Sequence, residues 1–450
     1  MQSWLSSLGL DGGPKYAAIA DAIAAAVRSG ELRPGERLPP QRELAARLGV
    51  DLTTVTRAYR LAAQAGLIEG AGKLGSFVRN DAVAPIFGET ASEAGMNVPP
   101  QPAFGLLSEA IRTGTATLLR AGRHSPILQY QPSLGHKLDR AEAAAALTSR
   151  GVAATADEIA ITAGAQNALH AILAARFQAG DGIACGRFIY PGMAALARRM
   201  DIRLVPIASD AHGMSAEALD AAEGVRGVYL TPTNDNPTAV TMGAIRRREI
   251  ATVLRRRGLI LIEDDAYGLL PSARPLPITA LVPELAWHIG GTSKVVSPIL
   301  RVAHVKAPSP ADASGLVGAI ASTAVMAPPL NAALVSLWLR EGRFDSLVAG
   351  VRTEAIARQR IAARCLAGFS YQSHPEGYHL WLDLGDSGDP EALVRQVSPL
   401  GLSIVPGTAF LVAPMERVSW LRLSIGGAID HARLERALLR LRALLPPARP

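Results

Sequence analysis

The sequence predicts an α/β protein in two parts, a small helical unit at the N-terminal end and a larger unit built on a mostly parallel sheet. Three observations carry this. Residues 16–64 hold three short helical stretches, with two turn-bounded apolar strings after them. From about residue 103 onward, apolar runs alternate with Ala-rich helical stretches, the pattern of strand–helix units. Between the two, residues 81–102 carry Pro85, Gly88, Gly95, Pro99, Pro100 and Pro102 with no periodicity, the composition of a linker. The expected boundaries are therefore 1–80, 81–102 and 103–450.

Composition narrows the class. Hydrophobic residues make up 49% of the 450 and charged residues 19%, enough for a large core and too apolar for general disorder. Two cysteines, Cys185 and Cys365, exclude a disulfide framework and fit a reducing cytoplasm. The opening MQSWLSSLGLDGG lacks the basic-then-apolar pattern of a signal peptide. The most apolar segment, Leu316 to Leu339, is interrupted by Pro328-Pro329 and Asn331, so it reads as buried core and not as a membrane span. The formal net charge of +7 is compatible with a nucleic-acid partner without establishing one. Arginine dominates that charge: only five lysines occur, Lys15, Lys73, Lys137, Lys294 and Lys306.

In the N-terminal part, Tyr16 to Val27 places Ile19, Ile23 and Val27 on one helical face and stops at Ser29-Gly30. A second helix spans Gln41 to Leu48, and Gly49-Val50-Asp51 forms a tight turn. A third helix begins near Thr53 and runs to about Gln64. Two short helices around a Gly-containing turn are a helix-turn-helix; an ordinary three-helix bundle is the competing reading. The third helix would present Thr53, Thr54, Thr56 and Arg57 to base edges and phosphates. Strands over Gly66–Glu69 and Gly75–Val78 would flank the basic turn Gly70-Ala71-Gly72-Lys73 as a wing. The strings RPGERLPPQRELAARLGV, TTVTRAY and GLIEGAGKLGSFV, in this order between Arg33 and Val78, closely resemble the winged helix-turn-helix domain of the GntR family. The resemblance implies that Arg42, Thr53, Thr54, Arg57 and the wing with Gly72 and Lys73 contact a double-stranded DNA operator. Asp51-Leu52 stands where the family often has Ser-Arg, which removes a contact and adds an acid near the DNA backbone. Ten Lys/Arg against seven Asp/Glu in residues 1–80 make the unit only mildly basic, so specific contacts and dimerisation must carry binding.

In the large part, strands are expected at Glu158–Thr162, Gly182–Ala184, Leu204–Pro206, Gly227–Leu230, Leu259–Ile262 and Trp287–Ile289, with helices such as Gln166–Gln178 and Met193–Met200 between them. Ligands bind at the carboxyl ends of such strands. Those ends carry Thr162-Ala163-Gly164-Ala165-Gln166, Asn234-Asp235-Asn236-Pro237, Glu263-Asp264-Asp265-Ala266-Tyr267 and Gly290-Gly291-Thr292-Ser293-Lys294. Small residues opening a helix expose backbone N–H groups to an anion such as phosphate. Singly, each string is also an ordinary loop.

The ordered set Tyr130, Gly164-Ala165-Gln166, Tyr190-Pro191-Gly192, Asn236-Pro237-Thr238, Asp264-x-Ala-Tyr267, Ser293-Lys294, Arg301 and Arg422 resembles the PLP-dependent fold-type I aminotransferases from about residue 125 to the end. A GntR-like reader joined to an aminotransferase-like domain resembles the MocR-type regulators. The resemblance implies pyridoxal 5'-phosphate (PLP), with Lys294 as its Schiff-base lysine, Asp264 on the pyridine nitrogen, Asn236 and Tyr267 on the ring oxygen and Tyr190 stacked on the ring. It implies Gly164, Ala165, Ser293 and Arg301 around the phosphate, Tyr130 reaching the site of a neighbouring subunit in a homodimer, and Arg422 clamping an amino-acid carboxylate. It further implies a transcription regulator that senses an amine or amino acid through the Lys294 aldimine, or, alternatively, a working aminotransferase with a secondary DNA-binding domain. Two departures bear on the phosphate cradle and its neighbours: Ala239 replaces the glycine of Asn-Pro-Thr-Gly, and Gly291 replaces a serine, leaving Thr292 or Ser293 to compensate. The clusters Arg246–Arg248 and Arg255–Arg257 read either as a solvated helix face or as an auxiliary DNA-facing patch.

Overall fold

A computed structural model describes residues 15–28, 31–64, 66–70, 75–79, 95–102, 105–120, 126–385, 388–397, 401–413 and 417–445. The chain divides into two compact units, residues 1–91 with 102–109, and residues 92–101 with 110–450. Residues 95–101, expected within the linker, thus belong to the larger unit. The Val98 carbonyl accepts from Gly427 N at 3.0 Å, and the Asn97 side chain is hydrogen-bonded inside that unit. Proline content and lack of periodicity describe an extended segment equally well whether it is free or held.

The first unit packs three helices, α1 (Lys15–Arg28), α2 (Gln41–Leu48) and α3 (Leu52–Gln64). Ile19 and Ile23 of α1, Leu44 of α2, and Val55, Ala58 and Tyr59 of α3 share one buried cluster. Each large aliphatic there contributes roughly 1.5–3 kcal/mol by leaving water. Gly49 ends α2 in the left-handed conformation (φ 62°), its N–H returning to the carbonyls of Ala45 and Ala46. Asp51 caps α3: its carboxylate accepts from Thr53 N at 2.7 Å and from Thr53 Oγ1 at 2.6 Å. The acid therefore has a local role, satisfying a free N–H at the helix start. Thr56 Oγ1 donates to Gln41 Oε1 (2.8 Å) and Tyr59 OH to the Pro39 carbonyl (2.7 Å), fixing α3 against α2 and its approach. Strands β1 (Ile68–Gly70) and β2 (Ser76–Val78) pair antiparallel with Ile68 opposite Val78. The turn between them, with Gly72 and Lys73, lies outside the described residues.

The second unit is built on seven strands, β3 (Ile159–Thr162), β4 (Gly182–Cys185), β5 (Arg203–Pro206), β8 (Gly227–Leu230), β9 (Ile260–Asp264), β10 (Ala286–Gly291) and β11 (Ala303–Lys306); a two-residue hairpin, β6 (Ser209–Asp210) and β7 (Gly213–Met214), precedes β8. Their order is β3-β11-β10-β9-β8-β4-β5, and only β11 runs antiparallel to its neighbours. β3, β4 and β8 are buried at every position, which is why they read as continuous apolar runs. Two buried clusters include residues of these strands, one centred on Ile172, Ile262 and Trp287, the other on Val228, Leu254 and Leu261. A second sheet, in the order β12-β13-β15-β14, is antiparallel: β12 (Tyr371–Ser373), β13 (His379–Asp383), β14 (Ser403–Pro406) and β15 (Trp420–Ser424).

The segment from Leu316 to Leu339 forms one short helix, Val317–Ala321, and most of a helix spanning Pro329–Arg340, with the prolines between them. Among the described residues no helix is long and apolar enough to cross a membrane. The arginine clusters on the helix Ala244–Arg257 are largely engaged internally. Arg246 pairs with Asp210 (2.9 Å) and Glu249 (3.0 Å), Arg255 with Glu284 (2.8 Å), and Arg256 with Asp220. Arg257 donates to the carbonyls of Leu219, Asp220 and Ala222. Arg247 is fully buried beside Glu263. Arg248, Arg255 and Arg256 are exposed, so the solvated face describes one side of this helix, while Arg246, Arg247 and Arg257 are turned to partners within the unit.

Candidate functional site

The carboxyl ends of β8, β9 and β10 converge. Ile289 of β10 lies opposite Asp264 of β9, and Tyr229 of β8 lies opposite Ile262. Residues 262 and 264 share a face of β9, so Tyr229 and Asp264 meet: the phenol donates to Asp264 Oδ2 at 2.9 Å. Burial pushes the Asp264 carboxyl up to about 6, against that hydrogen bond. Asp264 Oδ1 is buried without a partner.

Lys294 follows β10, and burial, reinforced by Arg422 and opposed by Asp264, pushes its amine down to about 8. Its Nζ donates to the Asn97 carbonyl at 2.6 Å, and its own carbonyl accepts from Tyr378 OH at 2.9 Å. Tyr267, fixed by the turn after β9, accepts from Asn97 Nδ2 at 2.9 Å and packs its ring against Tyr378 and His379. Asn97 Oδ1 in turn accepts from Ser424 Oγ at 2.7 Å. Arg422, from β15, is buried and donates to the Gly95 carbonyl at 2.6 Å; its Nε has no partner, and burial pushes its guanidinium down to about 10.

Asn236 is buried with Oδ1 unpartnered, next to a cis bond to Pro237. Tyr190 opens the helix Pro191–Arg199, and its phenol is pushed up by burial and by the nearby Asp264. A Cβ on Gly192 would overlap the Tyr190 ring and Gln166 Oε1, so only glycine fits there. Gly164 (φ 87°) opens the helix Ala165–Arg176; a Cβ there would lie 3.0 Å from Arg301 Nη2. Thr292 spends its hydroxyl on the Val302 carbonyl (2.8 Å) and is buried, which leaves Ser293 to stand in for the serine that Gly291 replaces. Ala239 adopts φ 61°, the left-handed backbone that explains a glycine in the related motif. Tyr130 is 85% exposed and has no place in its own chain's site. On the first unit Arg42 is exposed, Thr54 half-buried, Thr53 tied to Asp51, and Arg57 is exposed with its guanidinium 3.8 Å over the Tyr16 ring.

Tyr229, Asn97, Tyr378 and His379 are missing from the sequence reading. Strand register could have found Tyr229, which sits on the Asp264 face of the neighbouring strand. Asn97 lay in a proline-rich stretch with no local signal.

This donor set fits pyridoxal 5'-phosphate on geometry alone. Asp264 Oδ1 is a buried acceptor waiting for a donor, as a protonated ring nitrogen would be, and Asn236 Oδ1 is a second. The glycine at the head of the helix Ala165–Arg176, beside Arg301, is a cradle for a phosphate that any side chain would fill.

The comparisons agree. Residues 15–78 match the model of the gntR family of bacterial regulatory proteins, and residues 95–441 match that of class I and II aminotransferases. The uncharacterized HTH-type transcriptional regulator YdeF of Bacillus subtilis is 29% identical, over 98% of this chain and 97% of its own. The vitamin B6 salvage pathway transcriptional repressor PtsJ of Salmonella typhimurium is 28% identical, over 88% of this chain and 91% of its own. The crystal structure of LysN, an alpha-aminoadipate aminotransferase from Thermus thermophilus complexed with N-(5'-phosphopyridoxyl)-L-leucine, superposes with a TM-score of 0.70 at 26% identity, covering 78% of this chain and 90% of that one. The chain belongs to the class I and II aminotransferase family, whose fold implies pyridoxal 5'-phosphate as cofactor, and it carries a gntR-family helix-turn-helix domain at its N-terminal end.

Proposed function

We propose that this chain is a DNA-binding transcription regulator of the MocR type, whose aminotransferase-like domain senses an amine or amino acid at Lys294. One observation carries the reading: Lys294, Asp264, Tyr267 and Arg422 meet in one buried site of a chain that also retains an intact helix-turn-helix. The names of YdeF and PtsJ, both transcriptional regulators, support it.

Pyridoxal 5'-phosphate supplies an aldehyde that condenses with amines and a ring that withdraws electrons. Lys294 would hold it through the side-chain amine, and at a pKa of about 8 roughly a tenth of such amines are neutral at pH 7, ready to take or give a proton. Asp264 would keep the ring nitrogen protonated, while Asn236 and Tyr267 bond the ring oxygen and Tyr190 covers the ring face. Gly164, Ala165, Ser293 and Arg301 would hold the phosphate, with Tyr130 of one protomer of a homodimer reaching into its partner's site; its 85% exposure supports this. Arg422, stripped of water, would pair bidentately with the effector's carboxylate. Arg42, Thr53, Thr54 and Arg57, with Gly72 and Lys73 of the wing, would contact the operator. The effector acts by binding two arrangements of the dimer with unequal affinity.

Lys294→Ala tests this. It should abolish both the visible absorbance of the bound cofactor and the effector's influence on DNA binding. An unchanged effector response would overturn the reading. The completeness of the site favours one second reading, a working aminotransferase. Sustained conversion of an amino acid to its oxo acid, with no sequence-specific DNA binding, would select it.

A further inference from the structure

Behind the loop that carries Asp265 and Tyr267 lies a cavity of about 360 Å³, separate from the Lys294 site. Arg150, Arg274, Arg352, Ser149, Ser272 and Asp345 all line it. Arg150 follows the helix Lys137–Thr148, and Asp345 and Arg352 lie on the helix Arg343–Cys365.

The charges do not balance. Arg150 pairs with Asp345 through Nη2 at 2.9 Å. Arg352 donates to the carbonyls of Leu269 and Leu270, and Glu376 stands 3.9 Å from its Nε. Arg274 has neither a hydrogen bond nor an ion pair among the described residues. Arg274 is exposed; partial desolvation and the neighbouring Arg150 and Arg352 press its guanidinium down, while Asp265 and Asp345 oppose the shift. Three guanidiniums thus face two carboxylates, Asp345 on the cavity wall and Glu376 beside Arg352. Guanidiniums left in a concave wall focus positive potential and suit the geometry of phosphate oxygens.

We propose that this cavity is a second ligand site, for a small molecule carrying a phosphate group. Three guanidiniums against Asp345 and Glu376 leave an excess of one positive charge, which a phosphate group neutralises. Arg274 is the principal contact, since it has no other acceptor. Arg150 and Arg352 contribute the guanidinium nitrogens not already engaged. The cavity is walled by Leu269, Pro271 and Ser272, which follow Tyr267 directly in the chain. A ligand there would tie both helices to that loop, and any effect on affinity at Lys294 would be reciprocal.

The test is calorimetric titration of full-length, cofactor-loaded protein with inorganic phosphate at fixed ionic strength, with succinate as a dicarboxylate comparison. Loading fills the cofactor's own phosphate cradle, so binding there does not interfere. Phosphate should bind once per chain and more tightly than succinate. Arg274→Gln should weaken it at least about tenfold, the factor carried by one charge-assisted hydrogen bond. Asp345→Asn should tighten it severalfold, because it frees Arg150 and removes the competing negative charge; simple damage to the fold would weaken binding instead. Arg199→Gln, at an exposed arginine elsewhere, controls for net charge and should change nothing. Absence of phosphate binding, indifference to Arg274→Gln, weaker binding in Asp345→Asn, or preference for succinate would each overturn the proposal.

Discussion

Replacing Asp264 by Asn should stabilise the cofactor-free protein while weakening its hold on the cofactor. Asp264 is 5% exposed, and burial raises its carboxyl from an ordinary 3.8 to about 6. A carboxyl raised in the folded state binds protons more readily folded than unfolded. It therefore costs stability above that value, and the cost fades as pH falls through 6 towards 3.8. At pH 7 the penalty is about 3 kcal/mol. Asparagine removes the charge and keeps the acceptor for Tyr229 OH, but leaves an amide N–H unpartnered where Oδ1 now stands, at about 1 kcal/mol. The net gain is about 2 kcal/mol at pH 7, shrinking towards zero at pH 5 as the wild-type carboxyl takes its proton. Asp235, itself pushed up to about 6 by burial and further by Asp264, moves the result in the same direction. Denaturant unfolding of the cofactor-free protein at both pH values, followed through the buried Trp287 and Trp338, reads the difference. A variant less stable than wild type at pH 7, or a difference independent of pH, would refute the argument.

Arg247→Met should cost about 3–5 kcal/mol in urea unfolding, because it removes the countercharge of the buried Glu263 and the donor to the Met242 and Pro232 carbonyls; adding Glu263→Gln should not recover it, since both Glu263 oxygens accept from Ile278 and Thr279 and an amide nitrogen would face an N–H. Gly192→Ala drives a methyl into the Tyr190 ring and Gln166. It should cost about 1–3 kcal/mol in unfolding experiments, and cofactor retention on dialysis should fall well below wild type.

Much of this was readable from residues alone, for identifiable reasons. The helix Gln41–Leu48 and the strand Gly227–Leu230 fall where the sequence put them, because a left-handed glycine stops the first and burial on both faces makes the second a pure apolar run. The strand before Asp264 was expected over Leu259–Ile262 and runs to Asp264 itself, since carboxylates usually mark a loop and here end a buried strand. Chemistry-bearing residues at strand ends were visible because the fold exposes strand ends to ligands. Asn97 was not: its four contacts, to Lys294, Tyr267, His379 and Ser424, all come from parts of the chain more than 150 residues away. Nor was the Asp51 cap, since an acid at a helix start serves the helix and the DNA face alike in sequence. The four-stranded sheet left only one mark, Leu421-Arg422-Leu423-Ser424.

The central claim, that this is a sequence-specific DNA-binding regulator, is tested most directly by fluorescence anisotropy of the full-length protein. The DNA is the intergenic segment upstream of its own gene, compared with scrambled DNA at matched salt. The account predicts tight binding to the first and weak, salt-sensitive binding to the second, with the difference lost in Arg57→Ala. Equal, salt-sensitive binding to both, unaffected by Arg57→Ala, would contradict it.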